Sequence, residues 1–314
     1  MRDHGGDLDA ARARWGGADW IDLSTGINRV PWPVPALPAR AWTDLPTRDD
    51  MTRLAEAART AWGVSGAIVP LSGAQQAIQL IPRLGPPGRA RVLSPTYNEH
   101  AAALGVAGWR VEAVTDPEAL AGADLAVVVN PNNPDGRILP PTVLRALLPQ
   151  LGALVVDESF ADPDPELSLA GETGQPGLWV LRSFGKFYGL AGLRLGFALG
   201  APEAAGRLAA LAGPWPVSGA AVEIGVQALG DLDWQRATAE RLAQDALRLD
   251  RLSPWPLVGG TALFRLYETP DAAAAQARLA RHRIHSRIFP WSPRLIRLGL
   301  PAPDEWDRVA RALA

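Results

Sequence analysis

Residues 182–197 read Arg-Ser-Phe-Gly-Lys-Phe-Tyr-Gly-Leu-Ala-Gly-Leu-Arg-Leu-Gly-Phe, and the fold can be worked outward from them. Lys186 stands there among glycines and apolar side chains, and a second cation, Arg194, follows eight residues later. Lys186 is also the one lysine of a 314-residue chain whose other basic side chains are all arginine or histidine. Arginine can replace a surface lysine at little cost. It cannot replace a reactive amine, because a guanidinium stays protonated and is a poor nucleophile. The lysine that persists is therefore a candidate for Schiff-base chemistry, in which the amine sheds its charge and attacks a carbonyl.

On both sides of this loop, short apolar runs alternate with helical spacing. Residues 68–71, 91–93, 110–114, 125–129, 153–156, 178–181 and 195–199 predict strands, and 51–62, 73–84, 98–104 and 141–150 predict helices. Such alternation, with continuously apolar strands, predicts a mostly parallel sheet covered on both faces. Ligand-binding groups of such sheets gather at the carboxyl ends of the strands. Ser72, Gly73, Tyr97, Asn133, Asp157 and Lys186 all follow a predicted strand. From residue 216 the pattern changes to helices over 220–229, 234–252, 272–283 and 304–313, with strands over 261–267 and 294–298. The expected organisation is an arm with little regular structure over 1–45, a large α/β domain over 46–215 and a smaller α+β domain over 216–314.

Composition narrows the function classes. Net charge is −2 and basic residues are not clustered, so no nucleic-acid partner is expected. The chain has no cysteine, which removes disulfides, thiolate zinc sites and thiol nucleophiles. No apolar run approaches a membrane span, and the N-terminus lacks the apolar core of a signal peptide. A cytoplasmic protein is expected, and no metal is required.

Four motifs occur in order. They are Ser72-Gly73-Ala74-Gln75, Asn130-Pro131-Asn132-Asn133-Pro134-Asp135-Gly136, Val156-Asp157-Glu158-Ser159-Phe160 and the lysine loop ending in Gly192-Leu193-Arg194-Leu195-Gly196. Together they resemble the fold-type I pyridoxal 5′-phosphate (PLP) enzymes, the aspartate-aminotransferase-like superfamily, over nearly the whole chain. The resemblance implies PLP linked to Lys186. It implies cofactor contacts from Ser72, Gly73, Ala74, Gln75, Ser183 and Arg194 to the phosphate, and from Asn133, Tyr97 and Asp157 to the ring. These residue types suit those tasks. A helix start offers amides to an anion, an arginine adds charge-assisted bonds, and a carboxylate at a buried strand end needs a cationic partner. Leu295-Ile296-Arg297-Leu298-Gly299 resembles the family's late strand, whose arginine binds a substrate anion, and Arg287 is a second candidate.

Two further segments, His4-Gly5-Gly6-Asp7 and Asp22-Leu23-Ser24-Thr25-Gly26-Ile27-Asn28, resemble the threonine-phosphate decarboxylase branch of cobalamin biosynthesis. Phe160 agrees with that branch, since histidinol-phosphate-type aminotransferases usually carry tyrosine there. The resemblance implies a homodimer and a small phosphorylated amino-acid substrate held by His4, Asn28, Arg287 and Arg297. Three positions depart from the pattern. Gly185 stands where relatives often have Ser or Thr, Arg29 where they prefer proline, and Leu45 where many have a tyrosine. Two other readings stay open: a histidinol-phosphate-type aminotransferase, and a non-catalytic protein that keeps the fold as a regulator or scaffold.

Overall fold

A computed structural model describes residues 4–314 of the chain. It divides into two compact units. The larger comprises Trp32–Asn133 and Ile138–Gln235. The smaller comprises the chain up to Pro31, Pro134–Arg137 and Arg236–Ala314. These units cut the chain elsewhere than the expected arm and domains. The N-terminal arm to Pro31 belongs with the C-terminal unit, and the second division falls inside the helix Leu232–Leu252.

The larger unit is built on a seven-stranded sheet. Its spatial order is Ala67–Ser72, Leu195–Gly200, Leu178–Ser183, Leu154–Asp157, Leu125–Val129, Arg89–Leu93 and Arg110–Val114. All seven expected strands are present. One runs against the rest: Leu195–Gly200 is antiparallel to both of its neighbours. It follows Leu178–Ser183 through the lysine loop and comes straight back, so no crossover helix turns it parallel. The other six strands therefore end at one edge, and Leu195–Gly200 begins there. The apolar runs read as strands because both sheet faces are covered. Leu125–Val129, Leu154–Asp157 and Leu195–Gly200 are buried at every position. One face packs Val69, Leu71, Val92, Val127, Val155 and Leu181 against Ala77, Ile78 and Leu104 of the helices Ala74–Leu80 and Asn98–Val106. The helix Pro202–Ala212, absent from the sequence reading, adds Ala205 and Leu208 to this core.

The smaller unit contains a four-stranded antiparallel sheet ordered Arg287–Phe289, Ser292–Gly299, Phe264–Glu268 and Leu257–Thr261. The single strand expected over 261–267 is instead parts of two strands, joined by a tight connection at Ala262-Leu263. The glycines that hid the first of them from pattern reading have a packing reason. A Cβ on Gly259 would lie 2.1 Å from the Asp135 carbonyl oxygen, and one on Gly136 would lie 2.1 Å from that of Gly260. Backbone-to-backbone contact of this kind seats Pro134–Arg137 in the smaller unit. The arm holds more structure than expected. It has a helix, Leu8–Trp15, and a short strand, Ile21–Asp22, paired in parallel with Ile284–His285.

Candidate active site

The carboxyl edge of the large sheet carries one cavity. Gly73, Ala74, Gln75, Tyr97, Asn133, Asp157, Ser183, Lys186 and Arg194 all line it, together with Ser159, Phe160 and Gly185. Of the residues expected around a cofactor, Ser72 alone lies outside this lining. Its side chain is exposed, and its amide donates to Gln76 Oε1 at 2.7 Å.

Asp157 ends a fully buried strand and is itself 3% exposed. Its Oδ1 accepts the Ser159 amide at 3.0 Å and the Ser159 hydroxyl at 2.5 Å, and its Oδ2 meets His100 Nε2 at 2.8 Å. Burial pushes this carboxyl up, but His100 and the two Ser159 donors outweigh it, and the group ends below its ordinary value. It is a fixed negative charge in an apolar wall. His100 and Ser159 were not singled out in the sequence. A histidine on the buried face of the helix Asn98–Val106 reads as packing, and its spacing to Asp157 is visible only once the strands are ordered.

Lys186 is half-buried, with Nζ 5.6 Å from the centre of the Phe160 ring. Its loop is held from below by stacked rings. Phe184 lies 4.1 Å from Tyr188, and Tyr188 lies 5.8 Å from Trp234, both near-parallel. The departure at Gly185 has a steric basis, because a Cβ there would approach Ala191 Cα to 3.2 Å.

At the other end of the cavity, Arg194 has φ +55° and its Nη1 donates to the Ala191 carbonyl. Gly73 has φ +76°, and a Cβ on it would lie 2.9 Å from Arg194 Nη2. Glycine is required at 73 both for the left-handed backbone and for this approach. Gly73 was expected to offer its amide to an anion, but that N–H is already donated to the Leu71 carbonyl at 2.7 Å. The first-turn amides of Ala74 and Gln75 are the donors that remain. Gly196, which closes the lysine-loop motif, lets the strand meet this turn, since a Cβ there would be 2.2 Å from Ala74 N.

Tyr97 donates its hydroxyl to Gln75 Oε1 at 3.3 Å, and Gln75 Nε2 donates to Glu99 Oε2 at 3.0 Å. Asn133 follows two pinned neighbours. Asn130 exchanges two hydrogen bonds with the Leu139 backbone, and Asn132 bonds Thr96 Oγ1 at 2.6 Å and the Pro95 carbonyl at 2.9 Å.

The residues expected to hold substrate belong to the smaller unit. Arg297 is buried, donates to the Ser24 carbonyl at 2.7 Å and lies over the Phe264 ring. Burial, then the charge of Arg287, pushes its guanidinium down to about 9 against the opposing pull of Asp22, so it remains charged at neutral pH. His4 and Arg287 line a second cavity, with Ser24, His285 and Ser286. Asn28 is buried away from that lining. Its Oδ1 accepts the Val30 amide at 3.0 Å and Arg241 Nη2 at 2.8 Å. Arg29, where relatives prefer proline, pairs with Glu305.

A basic pole, a buried carboxylate and an amine on one wall fit a flat, anionic, nitrogen-bearing group. The comparisons agree in kind. The family model for aminotransferase class I and II matches residues 47–312. A threonine-phosphate decarboxylase of Pseudomonas aeruginosa is 45% identical, covering 100% of this chain and 97% of that protein. A second, from a Sinorhizobium species, is 43% identical over 99% and 97%. In fold, the chain matches the crystal structure of a histidinol-phosphate aminotransferase from Sinorhizobium meliloti in complex with pyridoxal-5′-phosphate. The TM-score is 0.85 at 22% identity, covering 97% of this chain and 92% of that one. The chain belongs to the class I and II aminotransferase family, and within it to the threonine-phosphate decarboxylases.

Proposed function

We propose that the chain is a PLP-dependent carboxy-lyase that converts L-threonine O-3-phosphate to (R)-1-amino-2-propanol O-2-phosphate and CO₂, as a step of cobalamin biosynthesis. The observation that carries the cofactor assignment is that Lys186, Asp157 and Arg194 line one cavity. The close full-length likeness to two threonine-phosphate decarboxylases carries the choice of reaction.

When bound, PLP supplies an electrophilic carbonyl and a ring that accepts the electron pair left by the departing carboxylate. The chain supplies the rest. Lys186 would hold the cofactor through its amine. Asp157, kept ionised by His100 and Ser159, would pair with the ring nitrogen and keep its proton in place. Arg194, Ser183 and the amides of Ala74 and Gln75 would hold the phosphate. Tyr97 and Asn133 would seat the ring. Arg297, Arg287 and His4 would hold the substrate's carboxylate and phosphate and so decide which bond at Cα is presented for cleavage.

The chain acts as a cytoplasmic homodimer in this reading. Support for a second copy comes from large apolar side chains left exposed over residues 34–45, Trp42 at 70% and Leu45 at 62% among them. Among the described residues no helix is long and apolar enough to cross a membrane.

The decisive experiment incubates the PLP-loaded protein with L-threonine O-3-phosphate. CO₂ release without consumption of a 2-oxo acid supports the decarboxylase. Turnover that requires glutamate and a 2-oxo acid, without CO₂, would replace it with an aminotransferase.

A further inference from the structure

We propose that Ser24 is a positioning residue for anion recognition: its side chain fastens Gly6, two residues after His4, and its carbonyl holds Arg297. The inference deepens the functional reading above and rests on it for the identity of the anion.

Ser24 is fully buried. Asp22 Oδ1 accepts both its amide, at 2.9 Å, and its hydroxyl, at 2.6 Å. The hydroxyl proton is therefore committed to Asp22, and the oxygen's lone pairs face elsewhere. One of them accepts the Gly6 amide at 2.7 Å. The two glycines after His4 are what this contact requires. A Cβ on Gly5 would lie 2.4 Å from the Ser24 carbonyl oxygen, and Gly6 has φ +91°. A side chain at the first position would push the backbone off Ser24, and one at the second would be strained. The same carbonyl oxygen accepts Arg297 Nη2 at 2.7 Å. One residue thus fastens the segment that carries His4 and orients the guanidinium on the strand Ser292–Gly299.

The platform beneath Ser24 is itself tied down. The Leu23 amide donates to the His285 carbonyl at 2.8 Å, and the Gly299 amide donates to the Leu23 carbonyl at 2.7 Å. His4, Ser24, His285, Ser286 and Arg287 line one cavity of about 350 Å³. The Ser286 hydroxyl is buried there with no hydrogen-bond partner among the described residues. A buried hydroxyl without a partner is expensive, and an oxyanion between it and Arg287 would satisfy it. His4 reaches this cavity because Ser24 fixes the backbone two residues later.

The test is a double-mutant cycle on the PLP-loaded protein, with Ser24→Ala, His4→Ala and the pair. Ser24→Ala removes the acceptor for Gly6 and leaves the carbonyl that holds Arg297. It should raise KM for L-threonine O-3-phosphate about 5- to 10-fold, the equivalent of one neutral hydrogen bond, with kcat within about twofold. The amide exchange of Gly6 should speed up by a similar factor. In the His4→Ala background the same change should add less than about twofold, because its effect runs through His4. Should Ser24→Ala fail to fold, Asp22→Asn weakens the same clasp from its far side and is read the same way. Losses that simply multiply, or a Ser24→Ala protein with unchanged KM and unchanged Gly6 exchange, would overturn the proposal. A His4→Ala protein with unchanged KM would overturn it too. If the unaltered protein releases no CO₂ from threonine phosphate, the assigned reaction fails instead. Affinity of the same four proteins for inorganic phosphate, with Gly6 exchange, then still decides whether the clasp holds.

Discussion

Replacing His100 with phenylalanine tests how Asp157 is kept ionised. The substitution keeps a planar ring of similar size in a site where His100 is 3% exposed, and removes only the partner 2.8 Å from Asp157 Oδ2. Asp157 would then rely on Ser159 alone, through contacts of 2.5 and 3.0 Å. A hydrogen bond to a charged group contributes about 1.5–3 kcal/mol. Without that partner the carboxyl should rise from its depressed value, since burial is then opposed by Ser159 alone. The sign of the stability effect follows from the direction of the native shift. Asp157 is depressed in the folded chain, so its contribution is complete above the unfolded value of 3.8 and fades as pH falls through the folded value. Raising the folded value removes part of that contribution at neutral pH, where the carboxyl is ionised in both states. His100→Phe should therefore unfold about 1.5–3 kcal/mol more easily at pH 7 in urea titrations. The acid limb of its kcat profile should move to higher pH, while turnover at neutral pH, where the carboxyl stays ionised, changes far less. An acid limb that stays in place would refute the assignment of His100 as the group that holds the Asp157 charge.

Other substitutions separate the parts of the site. Lys186→Ala should abolish turnover and the visible absorbance of the bound cofactor, while circular dichroism reports an unchanged fold. Gly73→Ala puts a Cβ 2.9 Å from Arg194 Nη2 at a residue with φ +76°. It should weaken PLP binding about tenfold or more in absorbance titrations, with a backbone strain of about 1–3 kcal/mol. Arg182→Met leaves Glu158 and Asp162 buried without their shared cation, 3.0 and 2.6 Å away, and should destabilise by about 3–5 kcal/mol. Burial already holds both carboxyls above their ordinary values. A raised carboxyl favours folding below its unfolded pKa and loses that contribution as pH rises through the folded value. The Arg182→Met protein should consequently melt closer to the unaltered one at pH 5 than at pH 8.

Much of this site was legible because its residues follow strand ends within short, distinctive stretches. Lys186, Ser183 and Arg194 share one loop, and Asp157 closes an apolar run that has no other reason to carry a charge. What was not legible depends on chain paths that local pattern does not encode. The apolar run 195–199 predicts a strand but not its direction, which comes from the short return through the lysine loop. Gly196 looks like an ordinary strand glycine until that return brings it against Ala74. The grouping of 134–137 with the C-terminal unit rests on contacts among Gly136, Gly259 and Gly260, and contact between backbones leaves no side-chain signature.

Strand alternation explains why the charges beside the site must be read in pairs. Asp157 and Glu158 are adjacent in sequence, as are Arg182 and Ser183, and neighbouring side chains on extended backbone point to opposite faces. Asp157 and Ser183 line the cavity. Glu158 and Arg182 point the other way and meet each other at 3.0 Å, with Arg182 also on Asp162 and over the Trp62 ring. The second pair is fully buried and is not part of the cavity lining, yet it joins the strand that ends in Asp157 to the strand that leads into the lysine loop. Conserving the charge of Arg182 with lysine would not preserve this link, because a single ammonium cannot address two carboxylates and an aromatic face with the geometry of a guanidinium. Arg182→Lys should therefore lose cofactor affinity as well as stability. Arg145→Lys, at an exposed pair with Glu172, should lose neither.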